Sequence, residues 1–116
     1  MKVNYTSKNG RLAVEFEGKG HTGIWSQIAA FQEVFEEGNC GKCKSEDLKF
    51  VVRKTTDGKK EYDYYELRCV QCGAKLAFGV INDDTGTLFP KRKDKEGNAV
   101  GVRGWVKWNP QTEKEE

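Results

Sequence analysis

The sequence predicts a small α+β domain, mostly antiparallel β, with one packed helix and an inserted four-cysteine hairpin stapled by a metal. Three observations predict it. Apolar residues recur at alternate positions within 2–6, 11–17 and 75–81 and at Leu48, Phe50, Val52, Tyr65 and Leu67, the period of half-buried strands. Ile24, Ile28, Phe31 and Phe35 recur at spacings of three and four, the period of a helix face. Cys40, Cys43, Cys69 and Cys72, the four cysteines of the chain, form two Cys-x-x-Cys pairs. With 116 residues, a single core of ordinary size uses the whole length. We expect one domain over 1–110: a hairpin plus helix (1–39), the cysteine hairpin (40–81) and C-terminal strands (82–110). Residues 111–116 read as a disordered acidic tail.

Residues 2–6 and 11–17 are expected to be strands joined at Asn9-Gly10, a type I′ turn signal. Pairing outward from it sets Tyr5 opposite Val14, Val3 opposite Phe16 and Asn4 opposite Glu15, so one face is apolar and the other polar. A helix over 23–37, capped by Thr22 and Gly38-Asn39, covers the apolar face, and Trp25 and Val34 widen its stripe. We expect the core to join Val14 and Phe16 to Ile28, Phe31 and Phe35. His21, the one histidine, reads as a surface residue near the helix start, because four thiolates already fill a metal site.

Two thiolates separated by two residues can point into one tetrahedral site, so two such pairs supply all four ligands of a closed structural Zn2+ centre. Between them lie 25 residues with Asp57-Gly58 in the middle, a strong turn signal. Counting outward places Phe50 opposite Tyr65, Leu48 opposite Leu67 and Val52 opposite Asp63, with both cysteine knuckles at the open end. That arrangement is a zinc ribbon. A redox role for the Cys-x-x-Cys pairs is the alternative, and it lacks the βαβ surroundings of a thioredoxin-like site.

Beyond the ribbon, residues 75–81 read as a strand, 82–86 as a turn and 87–89 as a short strand stopped by Pro90. Residues 91–98 are too polar to pack and are expected to be a mobile loop. Residues 100–109 return to strand character, with Gly101 and Gly104 marking a bulge or a close backbone approach.

A third of the residues are charged, and the formal net charge is +2. Its distribution carries more than its sum: −1 over 1–39, +2 over 40–72, +3 over 73–110 and −2 over 111–116. No apolar run is long enough to cross a bilayer and no signal segment opens the chain, so a cytoplasmic protein is expected, where thiols bind metal rather than pair. Phosphate loops, nucleophile–histidine pairs and metallohydrolase motifs are missing, and a saturated zinc leaves no position for activated water. These features indicate a binding protein, not an enzyme.

Leu48, Phe50, Val52, Tyr65 and Leu67 are expected to face the core. Lys49, Val51 and Arg53 then share the opposite face with Tyr62, Tyr64 and Glu66. Tyrosines beside Arg and Lys are suited to stacking unpaired bases and neutralising phosphates. A plain cross-strand cation-π pair of Arg53 over Tyr62 is the competing reading. A second basic and aromatic group comprises Phe89, Lys91, Arg92, Lys93, Arg103, Trp105, Lys107 and Trp108. Trp105 and Trp108 should point to opposite faces, one in the core and one a stacking platform.

Cys40-x-x-Cys43 with Cys69-x-x-Cys72-Gly73 resembles the zinc-ribbon superfamily, which implies one structural zinc and contacts with nucleic acid or a polymerase. The flanks, Trp25 to Glu37 before the ribbon and Leu88-Phe89-Pro90-Lys91-Arg92-Lys93-Asp94 to Gly104-Trp105-Val106-Lys107-Trp108 after it, are similar to small bacteriophage-encoded proteins of replication and recombination. That resemblance implies single-stranded DNA as the ligand, favoured over RNA, in the cytoplasm of the phage's host. It also likens Glu113, Glu115 and Glu116 to acidic tails that recruit replication or recombination proteins. The alternative expectation is a protein-interaction ribbon that docks on a polymerase or another enzyme as a regulator.

Overall fold

The computed structural model describes residues 1–82 and 85–116. Among these residues there is one helix, and the strands pair antiparallel, the α+β class expected. The chain divides into two compact units, Met1–Gly38 and Asn39–Glu116.

In the first unit, β1 (Lys2–Thr6) and β2 (Ala13–Glu17) pair in the expected register, Val3 opposite Phe16 and Tyr5 opposite Val14. The turn differs from the type I′ expectation. Ser7 N–H donates to the Leu12 carbonyl at 2.8 Å, Gly10 N–H donates to the Ser7 carbonyl at 2.9 Å, and Gly10 has φ 73°. The Asn9 side chain drives this wider loop: its Oδ1 accepts from the Ser7 hydroxyl and the Arg11 amide.

Helix α1 (His21–Phe35) starts and ends two residues earlier than predicted. Gly20 is the N-cap, and Thr22 lies inside the first turn, where its carbonyl accepts from the Ser26 hydroxyl. At the other end the Glu36 carboxylate accepts from the Lys8 amide at 3.1 and 3.2 Å. Glu36, whose own N–H donates to the Gln32 carbonyl, is the C-cap in place of Gly38-Asn39. Phe16 and Ile24 are the buried centre. Phe31 joins them edge-on to Tyr5 (5.6 Å, 77°) and Phe16 (5.8 Å, 78°), and Phe35 lies tilted 4.8 Å from Phe31. Trp25 is 77% exposed, because one residue beyond Ile24 the helix has turned off the packed stripe.

The second unit is a five-stranded antiparallel sheet. Strands β3 (Leu48–Asp57), β4 (Lys60–Cys69), β5 (Lys75–Val80) and β6 (Leu88–Pro90) follow in order, and β7 (Trp105–Val106) also pairs with β5. The β3–β4 turn is Gly58-Lys59 rather than Asp57-Gly58, and Asp57 pairs with Lys60. Gly58 takes φ 65° at the first central position, the II′ pattern. Every expected partner is therefore displaced by two: Phe50 faces Leu67, Leu48 faces Cys69 and Val52 faces Tyr65. A two-residue slip conserves the faces.

The core of this unit is Leu67, Ala74, Leu76, Phe78, Trp105 and Val106. Phe50 and Val52, expected in the core, are 56% and 55% exposed. β3 is the sheet's edge, and the C-terminal segment packs on β5 instead. Residues 91–98, expected as a mobile loop, close on themselves. Lys93 bridges Ala99, and Asp94 Oδ1 accepts from the Glu96 and Asn98 amides. The expected strand over 100–109 is broken by positive φ at Gly101, Arg103 and Gly104. The close approach is real, since a Cβ on Gly104 would lie 2.7 Å from Leu76 Cδ1 and 2.9 Å from the Lys91 carbonyl oxygen. The tail, expected to be disordered, returns as β9 (Lys114–Glu115) against β8 (Trp108–Asn109). The predicted turn at 82–86 includes two residues outside the description.

Candidate functional site

The two knuckles are built alike. Cys40 N–H donates to the Ser45 carbonyl and Lys44 N–H to the Cys40 carbonyl; Cys69 N–H donates to the Ala74 carbonyl and Gly73 N–H to the Cys69 carbonyl. Lys44 (φ 66°) and Gly73 (φ 80°), each one past the second cysteine of its pair, turn the chain back. The β3–β4 hairpin brings the knuckles together, because Leu48 and Cys69 are the last pair of its ladder.

All four Sγ atoms lie within 4.8 Å of one another, with Cys40 to Cys72 at 3.6 Å and Cys43 to Cys69 at 3.4 Å. A tetrahedral ion with sulfur at 2.3 Å has edges of about 3.8 Å, so these four residues fit a metal ion. Amides reinforce them: Lys42 and Cys43 N–H point at Cys40 Sγ (3.3 and 3.5 Å), and Cys72 N–H at Cys69 Sγ (3.4 Å). Such bonds favour thiolates. Protons are shared unequally within the cluster. Burial pushes Cys69 up, but the Cys72 and Gln71 amides and the Cys43 thiol bring it down to about 7. At Cys43 the Ser45 amide lowers the value, and the hydrogen bond to Cys69, burial, and the Cys72 and Cys40 sulfurs together push it up to about 12. His21 is no part of this cluster.

The sheet face away from Leu67 and Leu76 is charged and aromatic. Arg53 pairs directly with Tyr64, and its guanidinium sits 4.8 Å from that ring's centre; Thr55, not Arg53, faces Tyr62. Glu66 stands at the centre of this face with its side chain only 2% exposed. Arg53 Nε (3.5 Å), Arg68 Nη2 (2.8 Å) and Lys75 Nζ (3.8 Å) surround its carboxylate. Lys75 also meets Glu115 at 2.7 Å. Farther along the same face, the Phe89 ring and the Lys91 stem lie over Gly79, where a Cβ would come within 2.5 Å of Phe89 Cζ and 3.2 Å of Lys91 Cε.

Strand parity thus brings Lys49, Arg53, Tyr62, Tyr64, Phe89 and Lys91 to one face, with Tyr62, Tyr64 and Phe89 exposed. The remaining predicted residues lie elsewhere. Trp105 is 0% exposed and belongs to the core, so of these two tryptophans it is Trp108, 56% exposed on β8, that presents its ring to solvent. Arg92 donates to the Arg103 carbonyl, and Lys93 belongs to the turn closed by Asp94. Lys107 bonds both ways with the Glu116 backbone. Sequence reasoning missed Arg68 and Lys75. Arg68 shares the parity of Tyr62, Tyr64 and Glu66 and was within reach, but Lys75 needs the β4–β5 register, Arg68 opposite Lys75. No helix among the described residues is long and apolar enough to cross a membrane. Comparison of the chain with family models, curated proteins and solved structures finds no match.

Proposed function

We propose that this chain is a zinc-ribbon protein that binds single-stranded nucleic acid by base stacking and phosphate contacts. Zinc is the metal that four thiolates in closed tetrahedral array select, alongside iron; its role is structural, since no ligand position is left open. The observation that carries the binding reading is the shared face of Tyr62, Tyr64 and Phe89 with Lys49, Arg53, Arg68 and Lys91. Aromatic rings offer π surfaces to any base, and the cations between them track a backbone. Bases inside a duplex cannot reach such rings, so the reading favours unpaired strands. DNA rather than RNA, and a place in phage replication or recombination, rest on the resemblance of the flanking segments alone.

Fluorescence anisotropy with labelled single-stranded and double-stranded oligonucleotides at two salt concentrations tests the proposal. Single strands should bind more tightly, and affinity should fall steeply with salt because phosphate contacts release counterions. A second reading, a ribbon that docks on a polymerase or other enzyme, is favoured by exposed Phe50, Val52 and Val80 on the opposite face. Failure of every oligonucleotide to bind at low salt would leave that one standing.

A further inference from the structure

A groove of about 370 Å³ lies beside the first cysteine knuckle, off the five-stranded sheet, lined by Lys42, Lys107, Trp108, Asn109, Pro110 and Glu116. We propose that it is a separate site for one nucleotide unit, with the base stacked on the Trp108 indole and the phosphate held by the Lys42 and Lys107 ammonium groups. The inference deepens the nucleic-acid reading but does not depend on the sheet face. Its volume sits at the small end of ligand pockets, which run from about 300 to 1,000 Å³, so it suits one base and its phosphate rather than a length of strand. Trp108 presents a large exposed ring, although the core of this unit has buried its other tryptophan completely.

The surroundings are held in place. Lys42 sits on the knuckle, its amide donating to Cys40 Sγ at 3.3 Å. Lys107 and Glu116 exchange backbone hydrogen bonds of 2.9 and 3.0 Å. Asn109 Nδ2 and Thr112 Oγ1 donate to the two Glu116 carboxylate oxygens at 3.2 and 3.1 Å. The carboxylate is thereby fixed at the groove's edge with lone pairs left over, an acceptor for the exocyclic amine of adenine or cytosine. A flat π surface, two cations and an amine acceptor together describe a nucleotide better than a simple anion, which would leave ring and carboxylate unused.

The test is an NMR titration of the zinc-loaded full chain with dAMP, deoxyadenosine and inorganic phosphate, read at the indole N–H of Trp108 and assigned through Trp108→Phe. We expect dAMP to shift that resonance more than either fragment. Lys42→Gln with Lys107→Gln should weaken dAMP about tenfold and leave deoxyadenosine unchanged, since each phosphate contact is charge-assisted. A 5′-phosphorylated oligonucleotide that displaces dAMP assigns the site to a strand end, and one that does not assigns it to a free nucleotide. No shift at Trp108 with dAMP, or an equal shift with phosphate alone, overturns the proposal. Tyr64→Ala separates the two readings: it should weaken oligonucleotide binding on the sheet face and leave the dAMP titration unaltered.

Discussion

Trp105 shows how much one side chain can demand of its neighbours. Its ring is wholly buried, its Nε1 has no hydrogen-bond partner, and two glycines make room for it. A Cβ on Gly41 would stand 2.6 Å from Trp105 Cδ1, and one on Gly101 would stand 1.9 Å from the Trp105 carbonyl oxygen. Gly41→Ala should therefore cost about 1 to 3 kcal/mol in denaturant unfolding, because neither the ring nor the knuckle can give way. Gly79→Ala is the contrast: it meets the far end of the exposed Phe89, which can swing aside, so a loss below about 1 kcal/mol is expected. Glu66 makes a second demand. Its buried carboxylate offsets three cations, so Glu66→Gln should lower the melting temperature, yet tighten single-strand binding roughly fivefold by unmasking positive charge. An unchanged affinity in that variant would place the nucleic acid off this face. None of these dependences is visible in a list of residue types. Gly41 reads in the sequence as a small residue between cysteines, and its contact with a residue 64 positions later exists only in the fold.

At the scale of elements, the cysteine knuckles were fully legible, because ligand spacing is a local property that the backbone must satisfy wherever the pairs end up. The metal prediction follows directly. Elemental analysis of reduced protein should find one ion per chain, and Cys40→Ser or Cys72→Ser should unfold the second unit, since a structural zinc contributes on the order of 10 kcal/mol to domains of this kind. Protein that carries no metal and melts normally would remove the centre from the account. Strand faces were legible too, and so were the cross-strand partners of β1 and β2, but those of β3 and β4 were not. The II′ geometry of Gly58-Lys59 moves the register by two, which preserves which side chains share a face and changes which of them touch. Arg53 consequently meets Tyr64 instead of Tyr62. Phe50 was misplaced for a different reason: alternation shows that a residue lies on the apolar face, not that anything covers it, and the edge position of β3 leaves it open to solvent. Phe50→Ala should accordingly leave the unit folded.

Across the whole molecule, the proposed single-strand binding would draw on the positive charge of residues 40–110 for attraction and on the aromatic residues for stacking. Tyr64→Ala should weaken single-strand affinity roughly tenfold, the worth of about one stacked base, with little change in salt slope. Replacing Lys49, Arg68 and Lys91 together should flatten the slope by up to about 0.7 per lost contact, read from affinities at several salt concentrations. If Tyr64→Ala binds like wild type and the triple variant does not bind, attraction is electrostatic and stacking has no part in it. The tail escaped prediction because its polar composition gives no reason to fold. Pairing with β8 and the Lys75–Glu115 contact supply that reason only once the sheet exists.

The matched knuckles have one more consequence, for the time course of unfolding. Cys40 and Cys72 are 32 positions apart, so an ion gripping all four sulfurs would tie the chain into a closed loop enclosing all of β3 and β4. A covalent tie around a loop of this size removes about 3 to 4 kcal/mol of disorder from the unfolded chain. A coordinate tie does the same only while the ion stays. The second unit's lifetime on heating should then be set by how fast the ion departs: a competing chelator, by preventing rebinding, should shorten it to a limit that further chelator does not change, whereas the same buffer without chelator should leave it unaltered.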